Sequence, residues 1–226
     1  MTSDGSSVIV TCYEVRKLKE YTTHGNLVRE ILLQEDMTNP HHAVQLTSGQ
    51  FVVCHGELSD RLHRVCLVDA NGCVRKYFGG QKGSAFGQMN VPARLVVDQD
   101  GSILVADVNN ARVLILTESL DHVRKLITRR DVTSVTMVTS RWWRPARLRL
   151  DERRAVLYVA EVEWYGKTRI AGQLVVYKVG NTLEVRFLKD FNKTLYIAYF
   201  RILYNGVISE HCDELNYYCV TVIIFV

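Results

Sequence analysis

The sequence lacks the segments and cysteine pairs that mark several large classes of protein. Its apolar runs, such as Val8-Ile9-Val10 near the start and CVTVIIFV at the end, are far shorter than the roughly 20 residues of a membrane-spanning helix. The first run is also too short for a signal peptide. None of the six cysteines forms a Cys-x-x-Cys pair, which argues against zinc knuckles and thioredoxin-like redox sites. We therefore expect a cytoplasmic protein with no membrane partner.

Composition and charge place the chain among ordinary globular proteins. Of its 226 residues, 47% are hydrophobic and 23% are charged, so a folded core is the default expectation. The net charge of +4 is too small to indicate a partner, but residues 121–154 carry ten Lys or Arg against four Asp or Glu. The sequence therefore predicts one locally basic face or edge.

Proline is scarce, and its three occurrences reveal an internal repeat. Pro40, Pro92 and Pro145 are separated by 52 and 53 residues, and similar text follows each of them. Gly49 and Gly101 stand at the same distance from the first two prolines. A Val-Arg pair closes each unit, and an insertion near residues 165–172 delays the last one; the pairs are Val28-Arg29, Val74-Arg75, Val123-Arg124 and Val185-Arg186.

Each repeat is predicted to contain four short strands separated by turns. In the second repeat, which begins at Pro92, the β-rich runs are residues 95–97, 103–106, 113–116 and 123–126, and Asp, Asn and Gly residues lie between them. No window of the sequence shows a convincing helical period. Four strands in about 50 residues, with nearly continuous apolar runs, are typical of a β-propeller blade that its neighbours cover on both faces.

The run that begins at Pro92, P-x-x-L-x-V-D-x-D-G-x-I-L-V-A-D-x-x-N-x-R-V, resembles an NHL repeat, the blade unit of six-bladed propellers in tripartite-motif proteins and their relatives. The resemblance covers residues 15–190, with repeat starts near Pro40, Pro92 and Pro145. It implies an all-β fold, a β-propeller of NHL type with four-stranded blades. Six blades would need about 300 residues, so we expect a partial or open propeller. Residues 191–226 are expected to form a divergent C-terminal tail, whose two β-rich runs could pair with an open edge.

The first and third repeats, which begin at Pro40 and Pro145, depart from the pattern. His55 stands where the second repeat has an aspartate, and four extra residues precede Arg64. In the third repeat Glu161 takes the acidic position and Gln173 replaces the arginine. The chain also lacks the cysteine and histidine clusters of RING and B-box domains, so the resemblance implies no ubiquitin-ligase chemistry.

Six residues of the second repeat form its structural signature: Pro92, Asp98, Gly101, Asp107, Asn110 and Arg112. We expect Asp and Asn to accept hydrogen bonds from turn backbone and the arginine to stabilise the strand entry by charge-assisted hydrogen bonds. The alternative is a binding rim formed by Asp107, Asn110 and Arg112. The glycine-rich run 78–87 lacks the Gly-Lys-Ser/Thr ending of a phosphate loop and resembles the linker between blades.

The candidate binding residues lie in and beside the most basic stretch: Arg141, Trp142, Trp143, Arg144, Arg147 and Arg149. Along a strand, Leu148 and Leu150 would share one face and Arg147 and Arg149 the other. The first hypothesis is a non-catalytic interaction scaffold that binds a protein, with Trp142, Trp143 and Trp164 as anchors. The second is binding of single-stranded RNA by the basic region 124–154, because arginines neutralise phosphates and aromatic rings stack on bases.

A third hypothesis is an enzyme related to six-bladed propeller lyases or lactonases. Such an enzyme would need inward-pointing metal ligands from several blades. The candidate ligands His41, His42, His55 and His63, with Cys54 and Cys66, have a spacing that fits no compact zinc motif. We therefore predict no catalytic residues, no metal, no cofactor and no small-molecule substrate.

Overall fold

The structure, a computed structural model, describes residues 6–121, 123–128, 144–154, 156–161, 163–165, 168–171, 174–178, 182–191, 194–203 and 221–225; in these ranges it describes side chains up to residue 160, except those of Val123 and Arg124. The chain divides into two compact units. The first comprises Met1–Arg129 with Arg144–Ala146, and the second comprises Arg130–Trp143 with Arg147–Val226.

Three antiparallel sheets form the first unit. The first sheet has the order β1-β2-β3, with β1 Ser7–Cys12, β2 Lys17–Thr22 and β3 Leu27–Leu32. The second has the order β4-β5-β6-β7, with β4 Pro40–Gln45, β5 Phe51–His55, β6 Leu62–Val68 and β7 Val74–Gln81. The third has the order β8-β9-β10-β11, with β8 Pro92–Val97, β9 Ile103–Asp107, β10 Arg112–Leu116 and β11 Val123–Thr128. The second and third sheets each contain the four strands that the repeat predicts.

The second sheet is buried on both faces, as its nearly continuous apolar strands predict. All five residues of β5 are buried. Val52 and Cys54 pack into one apolar cluster with residues of the third sheet, whereas Phe51 and Val53 pack into another with residues of the first. Successive side chains of a strand point to opposite faces, so one strand contributes to two cores.

The repeat markers occupy equivalent places in successive sheets. Pro40, Pro92 and Pro145 are the first residues of β4, β8 and β12. The Val-Arg pairs lie in β3, β7, β11 and β17, of which β3, β7 and β11 are edge strands of their sheets. The proline period thus marks the first strand of each repeat, and the Val-Arg pair marks the closing strand of that repeat.

The third repeat opens a larger sheet. β12 Pro145–Asp151, β13 Val156–Glu161, β16 Leu174–Lys178, β17 Thr182–Phe191, β18 Thr194–Leu203 and β19 Thr221–Phe225 are hydrogen-bonded in that order. The insertion near residues 165–172 contributes to a separate hairpin, β14 Glu163–Tyr165 with β15 Thr168–Ala171. Both β-rich runs of the predicted tail contain strands, and β18 pairs with β17 on one side and β19 on the other. The domain boundary at residue 190 stays a prediction.

Helical structure is minimal in the described ranges. They contain one 3-10 turn, Val108–Asn110, which joins β9 to β10. In those ranges no helix has the length and apolar character needed to cross a membrane. The absence of a helical period in the sequence is confirmed for this part of the chain.

Candidate functional site

The signature residues Asp107 and Arg112 form a buried ion pair between β9 and β10. They are partners in the strand register, and Arg112 Nε donates to Asp107 Oδ2 at 2.7 Å. The exposed fraction is 0% for Asp107 and 7% for Arg112. Burial raises the pKa of the Asp107 carboxyl, although hydrogen bonds from Asn90, Asn110 and Arg112 oppose that shift. Both charges therefore depend on each other for compensation.

The same residues fix the linker between the second and third sheets. Arg112 Nη2 donates to the Gln88 carbonyl at 2.6 Å, and Asn110 Nδ2 donates to the Gly83 carbonyl at 2.9 Å. Asn110 Nδ2 also donates to Asp107 Oδ2, and the backbone N–H of Asn90 donates to Asp107 Oδ1. Asp107, Asn110 and Arg112 therefore bind the linker backbone to the sheet.

The other signature residues lie at the two ends of β8. Pro92 begins the strand and is buried. Beyond the strand, Asp98 Oδ1 accepts the backbone N–H groups of Asp100 and Ser102 at 3.0 and 2.7 Å. Gly101 completes this turn with a φ of +81°, a conformation that favours glycine. These contacts are those of a tight turn between strands.

The second sheet carries a different pair at the equivalent register position. His55 pairs with Arg64 across β5 and β6, as Asp107 pairs with Arg112 across β9 and β10. Arg64 Nε donates to His55 Nε2 at 3.1 Å, while Arg64 Nη2 forms its ion pair with Asp36 Oδ2 at 2.6 Å. The carboxylate therefore comes from the linker before β4 and not from the strand. The sequence pattern identified the substitution of histidine, but it did not identify Asp36 as the compensating charge.

Two histidines contact the loop 56–61 between β5 and β6, and a third, His55, is the last residue of β5. His41 Nε2 lies 3.2 Å from the Gly56 carbonyl, and His63 Nε2 lies 3.1 Å from the Asp60 carbonyl. The other ring nitrogen of His63, Nδ1, accepts the Val91 backbone N–H at 2.9 Å. Burial lowers the pKa of His41 and of His63. Burial and the neighbouring Arg64 lower the pKa of His55 to about 4. His41 and His63 therefore hold the ends of this loop, while His55 Nδ1 lies 3.2 Å from the Thr38 carbonyl in the linker before β4.

Exposed apolar side chains lie on three connecting segments of the first unit: the turn 13–16, the loop 56–61 and the linker 82–91. Phe86 is 88% exposed, Leu58 is 61% exposed and Tyr13 is 39% exposed. Lys82, in the same linker as Phe86, donates from Nζ to the Leu58 carbonyl at 2.9 Å. We call Tyr13, Val15, Leu58 and Phe86 the loop-end surface. Sequence reasoning missed all four, although each is an apolar residue next to polar or turn-forming neighbours.

A basic groove lies in the second unit between β12 and β13. It has a volume of about 440 Å³, and its lining includes Arg147, Arg149, Arg154 and Tyr158. Arg149 and Arg154 are exposed, and the Arg154 guanidinium lies 3.6 Å from the Asp151 carboxylate. Arg147 and Arg149 alternate along β12 with the less exposed Leu148 and Leu150. The two arginines therefore share a face of the strand, as the period of two predicts.

The structure describes only some of the predicted binding residues. Arg147 and Arg149 line the basic groove, and Arg144 immediately precedes β12. Arg141, Trp142 and Trp143 lie outside the described residues. Trp164 lies in β14, and its side chain is outside the described set. In the described part of the chain, no three His, Cys, Asp or Glu side chains gather as metal ligands.

Comparison with known proteins supports both the repeat and the fold. Residues 89–116 match the NHL repeat family. Hydrazine synthase from Kuenenia stuttgartiensis is 11% identical with a TM-score of 0.54, over 91% of this chain and 62% of that chain. A nidogen/laminin complex is 13% identical with a TM-score of 0.54, over 88% of this chain and 72% of that one. A catalytically inactive virginiamycin B lyase from Staphylococcus aureus, solved with quinupristin, is 14% identical with a TM-score of 0.52, over 90% of this chain and 76% of that one.

No curated protein sequence matches the chain. At these low identities the similarity concerns the fold. The matched segment 89–116 contains the linker end, β8, β9 and β10, together with Asp107, Asn110 and Arg112. The chain therefore carries an NHL repeat in an all-β fold of the β-propeller type.

Proposed function

We propose that this chain is a non-catalytic binding module that contacts a partner protein through the loop-end surface. The observation that carries the proposal is the 88% exposure of Phe86. Burying a phenylalanine side chain is worth about 2 kcal/mol, so an aromatic ring left in water is a ready source of binding energy. Aromatic side chains are also enriched at the centres of protein interfaces.

The loop that carries Phe86 is already ordered, which lowers the entropy cost of binding. Gln88 N–H donates to the Ala85 carbonyl at 3.1 Å, and Ala85 N–H donates to Gln88 Oε1 at 3.2 Å. Arg112 and Asn110 fix the same loop from the third sheet. A rigid scaffold that presents an exposed aromatic residue on a loop is a common arrangement for binding.

The structural use of the polar signature residues supports the non-catalytic part of the proposal. Asp107 and Arg112 bind each other and the linker, and Arg64 binds His55 and Asp36. Each of these groups has a structural partner inside the first unit. They stabilise the scaffold on which the loop-end surface is carried.

Site-specific photo-crosslinking tests the docking surface. We expect Phe86→benzoylphenylalanine to crosslink a polypeptide in cells, and we expect Leu58→Asp in the same chain to abolish that product. The control is the same photo-crosslinker at Leu27, which is 51% exposed on β3 and outside the loop-end surface. A product that forms equally well from both positions, or that survives Leu58→Asp, would contradict the proposal.

The basic groove favours a second candidate function, the binding of single-stranded RNA. Three arginines line it beside Tyr158, and Asp151 is the one carboxylate among its lining residues. Arginines neutralise phosphates, and a tyrosine ring can stack on an unpaired base. Binding of an oligouridylate that weakens steeply as salt is added would support this function.

A further inference from the structure

We infer that the partner docks through a basic segment, in which a Lys or Arg side chain stands next to an apolar residue, and that this segment contacts Tyr13, Glu57 and Leu58. The inference rests on the proposed function, because it names the chemistry of the partner for the same surface.

The apolar part of this contact is continuous between two sheets. The Tyr13 ring packs against the His41 ring with a centroid distance of 5.6 Å. His41 Nε2 lies 3.2 Å from the Gly56 carbonyl and 3.7 Å from Glu57 Oε1. Tyr13, from the first sheet, is therefore joined through His41 to the loop of the second sheet that carries Leu58. Both Tyr13 and Leu58 retain exposed apolar area.

The charge of the surrounding loops selects a cationic partner. Loops 13–16, 33–39 and 56–61, together with Lys82 on the Leu58 carbonyl, carry five carboxylates against three cations, Arg16, Arg61 and Lys82, for a net charge of −2 in a chain whose net charge is +4. The carboxylates are Glu14, Glu35, Asp36, Glu57 and Asp60. The loop-end surface around Tyr13 is thus acidic, although the chain as a whole is basic.

The five carboxylates are not equally available. Asp36 is paired with Arg64, and Asp60 accepts hydrogen bonds from Asn39 and from the backbone of Glu57. Glu14 and Glu35 are exposed, and the Glu57 side chain is 35% exposed beside His41. Glu57 Oε2 also accepts the Leu58 backbone N–H at 3.2 Å, so Glu14 and Glu35 are the more available carboxylates and Glu57 is the one that lies beside Leu58.

An aromatic ring beside a carboxylate is a recognised receptor for a cationic side chain. The cation is attracted by the face of the ring and by the carboxylate, and both attractions strengthen when the partner excludes water. Burial, and after it the charges of Glu57, Asp60 and Glu14, raise the pKa of the Tyr13 hydroxyl, so these carboxylates lie close to the ring. The phosphates of a nucleic acid would be repelled here, so the occupant is a basic protein segment.

Fluorescence anisotropy of the full chain with a labelled peptide of repeating Arg-Leu-Lys units tests the inference. We expect Glu57→Gln and Tyr13→Leu each to raise the Kd about fivefold, the effect of losing one ion pair or one cation–π contact. Tyr13→Phe, which keeps the ring, should raise the Kd less than Tyr13→Leu does. The matched control is Glu118→Gln, an exposed carboxylate in the turn after β10, at the opposite end of the sheets.

Several outcomes would overturn the inference. They are no binding of the Arg-Leu-Lys peptide, equal binding of a Glu-Leu-Glu peptide, or an equal loss in Glu57→Gln and Glu118→Gln. The crosslinking product from position 86 distinguishes a failure of the basic-partner inference from a failure of the proposed function. If that product persists while the basic peptide fails to bind, the docking surface stands and the basic partner is rejected. If the product is absent as well, the proposed function fails with it.

Discussion

Arg64 Nε donates a hydrogen bond to His55 Nε2 at the sheet position where Arg112 Nε donates to a carboxylate oxygen of Asp107 in the next sheet. The two arginines are equivalent in register, and their acidic partners differ in origin. Asp107 comes from the neighbouring strand, whereas Asp36 reaches Arg64 from the linker. A buried arginine needs a nearby carboxylate, and the position of that carboxylate in the sequence is free to change.

The first prediction concerns the buried ion pair of the third sheet. Asp107→Ala leaves Arg112 buried without its charge partner, which should lower the free energy of unfolding by about 3 to 5 kcal/mol. Asp100→Ala is the matched control, because Asp100 is an exposed turn residue, and it should change stability by less than about 0.5 kcal/mol. Urea denaturation of both variants measures the difference, and equal stability would contradict the structural role of Asp107.

The second prediction is a loss of stability in acid that depends on His55. Its pKa is lowered to about 4 by burial and by Arg64, against the opposing effects of the Thr38 carbonyl, Asp36 and Asp60. At His55 the folded state therefore binds fewer protons than the unfolded state between about pH 4 and the unfolded pKa of about 6.5. The neutral histidine contributes stability above that pH, and up to about 3 kcal/mol is lost as the pH falls to about 4 and below.

Measuring the free energy of unfolding between pH 7 and pH 4 tests this prediction. His55→Gln keeps a donor and an acceptor but does not titrate, so its stability should fall less steeply than that of the unmodified chain. His41 and His63, whose pKa values burial also lowers, will leave a residual slope in the variant. Parallel pH profiles for the two proteins would show that His55 is not responsible.

The third prediction compares two glycines in similar turns. Gly49 and Gly72 have φ values of +81° and +86°, so alanine is strained at both positions. A β-carbon at Gly49 meets open space, whereas one at Gly72 would overlap the Leu32 carbonyl oxygen of the first sheet. Gly49→Ala should cost about 1 kcal/mol and Gly72→Ala at least about 2 kcal/mol more, as measured by urea denaturation. Equal losses would place Leu32 farther from the turn.

The fourth prediction addresses the basic groove. If it binds single-stranded RNA, Arg149→Ala combined with Arg154→Ala should weaken binding of an oligouridylate and reduce the slope of log K against log salt by about 1 to 2. Arg153→Ala is the control, because Arg153 is exposed in the same turn but does not line the groove. Filter binding at several salt concentrations provides the slopes. Equal effects of the double variant and the control would reject a specific site.

The fifth prediction concerns the lyase- or lactonase-like alternative. A non-catalytic module should purify without stoichiometric zinc or calcium, and its melting temperature should not change after treatment with a chelator. Elemental analysis and thermal unfolding measure the two quantities. One equivalent of metal per chain, with a lower melting temperature after chelation, would favour the enzymatic alternative.

The repeat in the sequence predicted much of the first unit. Strands 95–97, 103–106, 113–116 and 123–126 lie within β8 to β11, because turn residues and β-rich runs alternate clearly there. The register confirms that His55 takes the place of Asp107 despite the longer loop. The same approach did not reveal the loop-end surface. Tyr13, Leu58 and Phe86 come from three separate loops, and no spacing in the sequence links them.

The sequence by itself determined the period of the repeat, the strands of the third sheet and the covering of a blade on both faces, since all three follow from local turn chemistry and from the apolar content of each strand. Only the tertiary structure decided which charges compensate Arg64, which histidines are buried and which apolar side chains remain in water. Those properties depend on distances between loops of different sheets. Linkers and turns bring the loops together, and the exposure of each side chain follows from how closely its neighbours pack.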